Sequence, residues 1–123
     1  MPYLNDRVLD LGLNVLDTEA TTLHLMGSEA TTLAAVTAGT LGNAAINVPA
    51  PVARTPSGRK VVVPAITSGT VTGSGSASAT HWAIVDGTNS RLLAAGPLAA
   101  PQNVTAGNSF SLQAFDIGIP GIA

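Results

Sequence analysis

The sequence predicts an all-β protein, an antiparallel β-sandwich or jelly roll, and three observations lead to that class. Short runs of β-branched or alternating apolar residues recur along the chain and are separated by turns rich in glycine and proline. Few segments have the spacing of apolar residues that a helix needs. The only tryptophan lies in a strand that leads into the clearest hairpin signal of the chain.

That hairpin spans Thr80–Gly96. Trp82 and Ile84 fall on one face of its first strand, and Ala83 and Val85 fall on the other, so both faces are apolar. Such a strand is typical of the middle of a sandwich or of a contact with a neighbouring subunit. The Asp-Gly-Thr-Asn-Ser sequence that follows supplies turn residues, after which the chain returns as a second strand.

The N-terminal arm, residues 1–20, carries two competing patterns. Apolar residues at helical spacing behind a polar cap predict a short helix from about Asp6 to Leu13. Alternation of apolar and polar residues over 9–15 fits a strand nearly as well. We expect a helical turn followed by extended chain.

Residues 27–56 are predicted to form a long irregular excursion. The segment is small-residue-rich, short of charge and punctuated by glycine and proline, although 29–36 could add one or two helical turns. Segments of this kind in a compact domain are commonly functional loops or are ordered by a partner. We therefore assign four of its apolar residues to a partner interface: Leu33, Val36, Leu41 and Ile46.

The rest of the chain is predicted to be strand and turn. Pro64 removes a ladder donor and marks an edge or a bulge. Further strands are expected at Thr21–Met26, Arg59–Ile66, Thr70–Ala79 and Ser109–Phe115, with a turn at Ser68–Gly69 and a connection at Pro97–Pro101. The expected core residues are Trp82, Ile84, Phe110, Leu112 and Phe115.

The C-terminal tail, residues 117–123, is apolar. Ile117, Ile119 and Ile122 are unfavourable in water, so we expect them to form an edge strand or to dock on a neighbouring molecule. They complete the predicted partner interface.

Composition predicts one domain, since 123 residues allow a single core. Charged residues make up 10% of the chain against about 25% in an average soluble domain, which indicates either permanent assembly or a neutral, threonine-rich surface. A net charge of -2 with scattered basic residues argues against nucleic acid and anionic membrane partners. No cysteine is present, and neither a signal peptide nor a membrane-spanning run is expected.

No catalytic, cofactor-binding or metal-binding residue is predicted, and no small-molecule substrate is expected. His81 and Asp86 are five positions apart, an odd offset, and so fall on opposite faces of one strand. His24 lacks the acidic or histidine neighbours that a metal site needs. The glycine-serine run at 73–78 lacks the third glycine and the helix of a dinucleotide loop.

Several stretches together resemble small virion proteins of tailed bacteriophages and prophages, of the kind encoded among head genes. The resemblance covers most of the chain outside 27–56 and rests on structural rather than catalytic motifs. It is carried by Leu4–Asp10, Leu16–Ala20, Gly58–Ile66, Ala79–Asp86, Ser90–Ala95, Val104–Phe110 and Ala114–Pro120.

The resemblance implies a β-sandwich subunit of the virion, made in the host cytoplasm and located on the capsid surface as a decoration or cement protein. Its implied partners are the major capsid protein and copies of itself, as a dimer or trimer, with no cofactor. A tail-fibre or head-fibre component, or a receptor- or glycan-binding module, would share a threonine-rich sandwich. A sugar-binding module usually has several aromatic platforms, however, whereas this chain has one Trp, one Tyr and two Phe. An enzyme is the third and most remote possibility.

Overall fold

The computed structural model describes residues 3–4, 12–53, 59–72 and 76–119. Within these ranges the chain has the all-β, sandwich-like fold that the sequence predicts, with two short helices added. Neither helix is long enough to cross a membrane.

The elements follow one another along the described chain in this order. They are β1 (Tyr3–Leu4), α1 (Asn14–Glu19), β2 (Thr22–Met26), α2 (Leu33–Gly39), β3 (Thr40–Ala45), β4 (Val52–Ala53), β5 (Arg59–Val63), β6 (Ile66–Val71), β7 (Ser76–Asp86), β8 (Arg91–Thr105), β9 (Ser109–Leu112) and β10 (Phe115–Ile119).

The described strands form two sheets in which the paired strands are antiparallel. The larger sheet has seven strands in the order β1-β8-β7-β2-β3-β6-β9, and the smaller has three in the order β10-β5-β4. The predicted hairpin is confirmed as β7 and β8 of the larger sheet, in which β7 pairs with β2 and β8 pairs with β1.

The main core lies between the two sheets. Leu23 and Ile84 enter it from the larger sheet, and Val61 and Ile117 enter it from the smaller one. Leu16 of α1 is fully buried in the same cluster. The apolar positions on alternate residues of each strand therefore meet in one layer, as a sandwich requires.

A second, smaller core covers the opposite face of the larger sheet. Ala83 and Val85 of β7 pack there with Met26 of β2 and with Val36, the buried residue of α2. The Thr32 side chain caps α2 by accepting a hydrogen bond from the Ala35 backbone N–H at 3.1 Å. This helix explains why β7 is apolar on both faces: one faces the smaller sheet and the other faces α2.

Residues 27–53 are not the irregular excursion that the sequence predicts. Their alanine-rich part forms α2, and β3 follows it directly to lie between β2 and β6 inside the larger sheet. Threonine, glycine and alanine give β3 little hydrophobic contrast, so its pairing depends on neighbours distant in the chain.

The end of the N-terminal arm differs from the prediction. Helix α1 occupies Asn14–Glu19, and the predicted helix from Asp6 to Leu13 falls mostly outside the described residues. Gly12 has a φ of +70°, a left-handed conformation that glycine adopts readily, and α1 begins just after it. The expected extended chain after Leu13 is therefore helical.

Three further boundaries differ from the prediction. Ser68–Gly69 lies inside β6 rather than in a turn, and the predicted strand Thr70–Ala79 is divided between β6 and β7, with 73–75 outside the described ranges. The predicted strand Ser109–Phe115 ends at Leu112, because residues 113 and 114 separate β9 from β10. The described part of the tail, 117–119, belongs to β10 in the smaller sheet.

The predicted connection Pro97–Pro101 is part of β8, but it leaves the regular ladder. His81 lies opposite Pro97 and Ala79 lies opposite Gln102. Residues 98–101 of β8 therefore lie across from a single residue of β7, Thr80. The extra residues bulge out of the sheet, which suits prolines that cannot donate a ladder hydrogen bond.

Candidate functional site

A cavity of about 1060 Å³ lies between the two sheets of the described chain. The β8 bulge, from Pro97 to Pro101, forms one wall. Ser111–Gly118, at the end of β9 and in β10, forms another, and the start of β6 at Ile66 contributes to the lining. The cavity is therefore built from segments that are distant in the sequence.

Trp82 is held in the lining of this cavity by its cross-strand neighbour. It pairs with Gly96 on β8, and a Cβ atom added to Gly96 would lie only 2.9 Å from Trp82 Cζ2. A real Cβ atom essentially never approaches another atom so closely. The absence of a side chain at Gly96 therefore leaves room for the indole ring against the strand.

Phe115 is the aromatic partner of Trp82. Their ring centroids are 4.7 Å apart and the planes are tilted by 39°. This separation lies in the range of favourable aromatic pairs. Trp82 is thus contacted by the backbone of β8 and by a ring from β10, which links the two sheets at the cavity.

The five predicted core residues divide into two groups. Ile84 and Phe110 are buried, with 0% and 4% of their surfaces exposed. Trp82, Leu112 and Phe115 are half-buried, pack against the main core and line the cavity. The second group was expected to be core and instead forms the border between the core and an open space.

Few polar side chains face the cavity. Gln102 Nε2 donates a hydrogen bond to the Ser111 carbonyl oxygen at 2.9 Å and so connects its two walls. Gln102 Oε1 is buried without a hydrogen-bond partner.

The cavity lining carries little charge. Asp116 contributes a carboxylate, and Lys60 Nζ lies 3.0 Å from its Oδ2 atom. The ion pair is exposed and connects neighbouring strands of the smaller sheet. The lining is therefore apolar with neutral polar groups, and its described acidic group is already paired.

Asp86 is a buried acidic residue with a structural role. Its Oδ1 atom accepts hydrogen bonds from the backbone N–H groups of Thr88 and Asn89 at 3.0 and 3.2 Å, and its Oδ2 accepts one from Asn89 Nδ2 at 2.9 Å. Burial raises the pKa of the carboxyl group, but these bonds and the charge of Arg91 outweigh burial and lower the pKa below its usual value. Asp86 therefore stays ionised while it closes the β7–β8 hairpin.

The two histidines are likewise occupied by the fold. Thr40 Oγ1 donates to the Gly42 carbonyl, so it accepts the 2.9 Å hydrogen bond from His24 Nδ1. Thr80 Oγ1 donates to Gly27 and accepts from His81 Nδ1 in the same way. Burial lowers the pKa of His24. Among the described residues, no group of three or more His, Cys, Asp or Glu side chains is placed to hold a metal ion.

The predicted partner interface needs correction. Val36 and Ile117 are buried in the chain's own cores, at 1% and 9% exposure, because α2 and β10 cover the sheets. Leu33, Leu41 and Ile46 are half-buried against the same cores. The backbone of Ile119 pairs with Arg59, while its side chain and all of Ile122 lie outside the described part.

The cavity was not predicted from the sequence. The two prolines of Pro97–Pro101 are the one sequence signal of the bulge that forms a cavity wall. No local pattern, however, connects these residues with Phe115 in the other sheet.

The fold thus defines a class, an antiparallel β-sandwich-like domain with an apolar cavity between its sheets. Comparison of the chain with protein-family models, with curated proteins and with solved structures gave no significant match.

Proposed function

We propose that this protein is a non-enzymatic structural subunit of a tailed-phage virion, a decoration protein that binds the major capsid lattice and stabilises the head. The proposal starts from the resemblance of its sequence to small virion proteins of this class. It requires complementary packing rather than a reactive group.

The observation that carries the proposal is that ionisable groups of the described chain serve the fold. Lys60 pairs with Asp116, and Arg91 lies 3.8 Å from Glu19. Arg59 donates to the Pro51 carbonyl at 3.1 Å, and Asp86 closes the hairpin turn. Groups tied in this way stabilise a scaffold and leave a weakly charged surface suited to permanent contact with protein.

The edge of the smaller sheet is the surface that we assign to the capsid contact. Val52 lies there in β4 and is 46% exposed, the one large hydrophobic side chain in the described ranges with this degree of exposure. An edge strand also has backbone groups available for pairing. Many weak contacts of this kind, repeated over a lattice, give strong overall retention.

Retention on capsids tests the proposal. Purified particles lacking the protein are reconstituted with wild type, Val52→Asp or Ala38→Asp, and then challenged with heat or a chelator. We expect wild type and Ala38→Asp to bind and protect the particles, because residue 38 lies on the exposed side of α2, and we expect Val52→Asp to bind weakly. If particles that lack the protein were as robust as particles that carry it but failed to adsorb to cells, the decoration proposal would be wrong and receptor binding would take its place.

A glycan-binding module is the second candidate, and one feature favours it. A polar hollow of about 590 Å³ lies between β3 and β6 and contains Asn43, Asn47, Thr67 and Thr70. Amide and hydroxyl groups suit sugar hydroxyls, but the described lining contains no aromatic ring on which a sugar could stack. Glycan-array binding that was lost in Asn43→Ala would favour this candidate over decoration.

A further inference from the structure

We propose that the cavity between the sheets is a binding site for a small, uncharged, largely apolar molecule. This inference goes beyond the decoration role and does not depend on it, because the cavity and the β4 edge involve different strands. It rests on the size of the cavity, the chemistry of its lining and the position of the Trp82 ring.

The size fits a small molecule. Ligand sites in proteins are clefts of about 300–1,000 Å³ that are mostly apolar and contain a few placed polar groups. The volume of about 1060 Å³ lies at the upper end of this range. Leu98, Leu112 and Phe115 supply large apolar surfaces, and the small side chains of Ala99, Ala100 and Ala114 leave space between them.

The charge of the lining excludes a strongly ionic ligand. Asp116 is already paired with Lys60, and the described lining offers no second charged side chain. A ligand ion that left water for this apolar space would lose its hydration without gaining a partner of opposite charge. An uncharged ligand avoids that loss.

Trp82 places an aromatic surface in the lining. Its ring is held against Gly96 and Phe115, so a flat apolar ligand has a fixed ring to pack on. Gln102 Oε1, buried in the same lining without a hydrogen-bond partner, is an acceptor that a ligand hydroxyl or N–H would satisfy.

The sole tryptophan makes the test specific. The intact protein is titrated with prodan, an uncharged naphthalene ketone, and energy transfer from Trp82 to prodan is followed together with the blue shift of prodan emission. We expect saturable binding with quenching of Trp82. The anionic naphthalene probe ANS should bind about tenfold more weakly or worse because the described lining offers no cationic side chain.

Two variants narrow the cavity from opposite walls. Ala114→Phe and Ala100→Phe should each weaken prodan binding by about tenfold or more, since either ring would occupy ligand space. Ala34→Phe is the matched control, because residue 34 is exposed on α2 at the opposite face of the larger sheet, and it should bind as wild type does. Circular dichroism and thermal melting identify the variants that remain folded. Because the two substitutions lie on different walls, a failure of one variant to fold leaves the other to test the proposal.

Three results would overturn the proposal. The first is the absence of saturable energy transfer in the wild type. The second is equal prodan binding in both cavity variants and the control, which would indicate nonspecific surface adsorption. The third is prodan binding that disappears as the protein self-associates at higher concentration, which would show that a second copy of the chain covers the cavity.

Discussion

Gly69 of β6 lies directly opposite Phe110 of β9, and the phenyl ring covers the glycine. A Cβ atom added at Gly69 would overlap the ring carbons of Phe110. Phe110 is buried in the main core, so its ring has little freedom to move away. An aromatic ring over a cross-strand glycine is a recognised way to fix the register of a strand pair.

We therefore predict that Gly69→Ala lowers the free energy of unfolding by about 1–3 kcal/mol, as expected when atoms are inserted into a packed core. Urea unfolding followed by circular dichroism measures the change. Gly27→Ala is the matched control, because the nearest atoms to an added Cβ are 3.7 Å and 3.9 Å away. If Gly69→Ala and wild type had equal free energies of unfolding, the Phe110 ring would be able to move away from residue 69 without destabilising the fold.

The hairpin turn gives a second prediction. Asp86→Ala removes the acceptor for two backbone N–H groups and the Asn89 side chain, and it should lower the free energy of unfolding by about 1–3 kcal/mol. Equilibrium unfolding in urea provides the measurement. Asn108→Ala serves as a control in the turn between β8 and β9, where Asn108 makes its described hydrogen bonds through the backbone. A similar loss of unfolding free energy in both variants would show that the hydrogen bonds of the Asp86 side chain do not stabilise the turn.

The pH dependence of the same group follows from its lowered pKa. Because the folded pKa lies below the ordinary value of 3.8, the unfolded chain takes up a proton at a higher pH than the folded chain does. The stabilising effect is therefore complete above 3.8 and is lost as the pH falls through the folded pKa. We expect Asp86→Asn to reduce the acid-side slope of stability against pH, and an unchanged slope below pH 4 would contradict the assignment.

The hairpin shows which features the sequence determines locally. Alternation around Trp82 and Ile84 places a strand, and Asp86 with Gly87 places the turn, so all the information lies within a few adjacent residues. The structure confirms both. The burial of Ile84 follows as well, because it lies on the face that meets the smaller sheet.

Helix α2, strand β3 and the cavity could not be predicted from local sequence patterns. Alanine and threonine around Val36 have low hydrophobic contrast, and the position of the helix is decided by packing against Met26 and Val85. The cavity depends on bringing Trp82 and Phe115 together, and this follows from the pairing of β10 with β5, whose residues are distant in sequence. Local periodicity contains no information about such pairs.

The aromatic contact at the cavity supplies a fourth prediction. Phe115→Ala removes the ring that covers Trp82, so the tryptophan emission should shift to longer wavelength and the free energy of unfolding should fall by about 2–3 kcal/mol. Gln113→Ala changes an exposed neighbour in the same connection and should leave both quantities near their wild-type values. If the emission of Phe115→Ala matched that of wild type, Phe115 would not shield the indole ring from water.

His24 gives the last prediction, because burial lowers its pKa below the ordinary value of 6.5. As the pH falls below 6.5, the unfolded chain binds a proton on this residue before the folded chain does, so folding becomes less favourable. The stabilising effect of the neutral ring is complete above 6.5 and decreases toward the folded pKa. His24→Gln should flatten the stability curve in this window, as measured by urea unfolding at a series of pH values. A titration of the ring signals by nuclear magnetic resonance provides the direct check, and a midpoint at or above 6.5 for His24 would show that burial does not control its protonation.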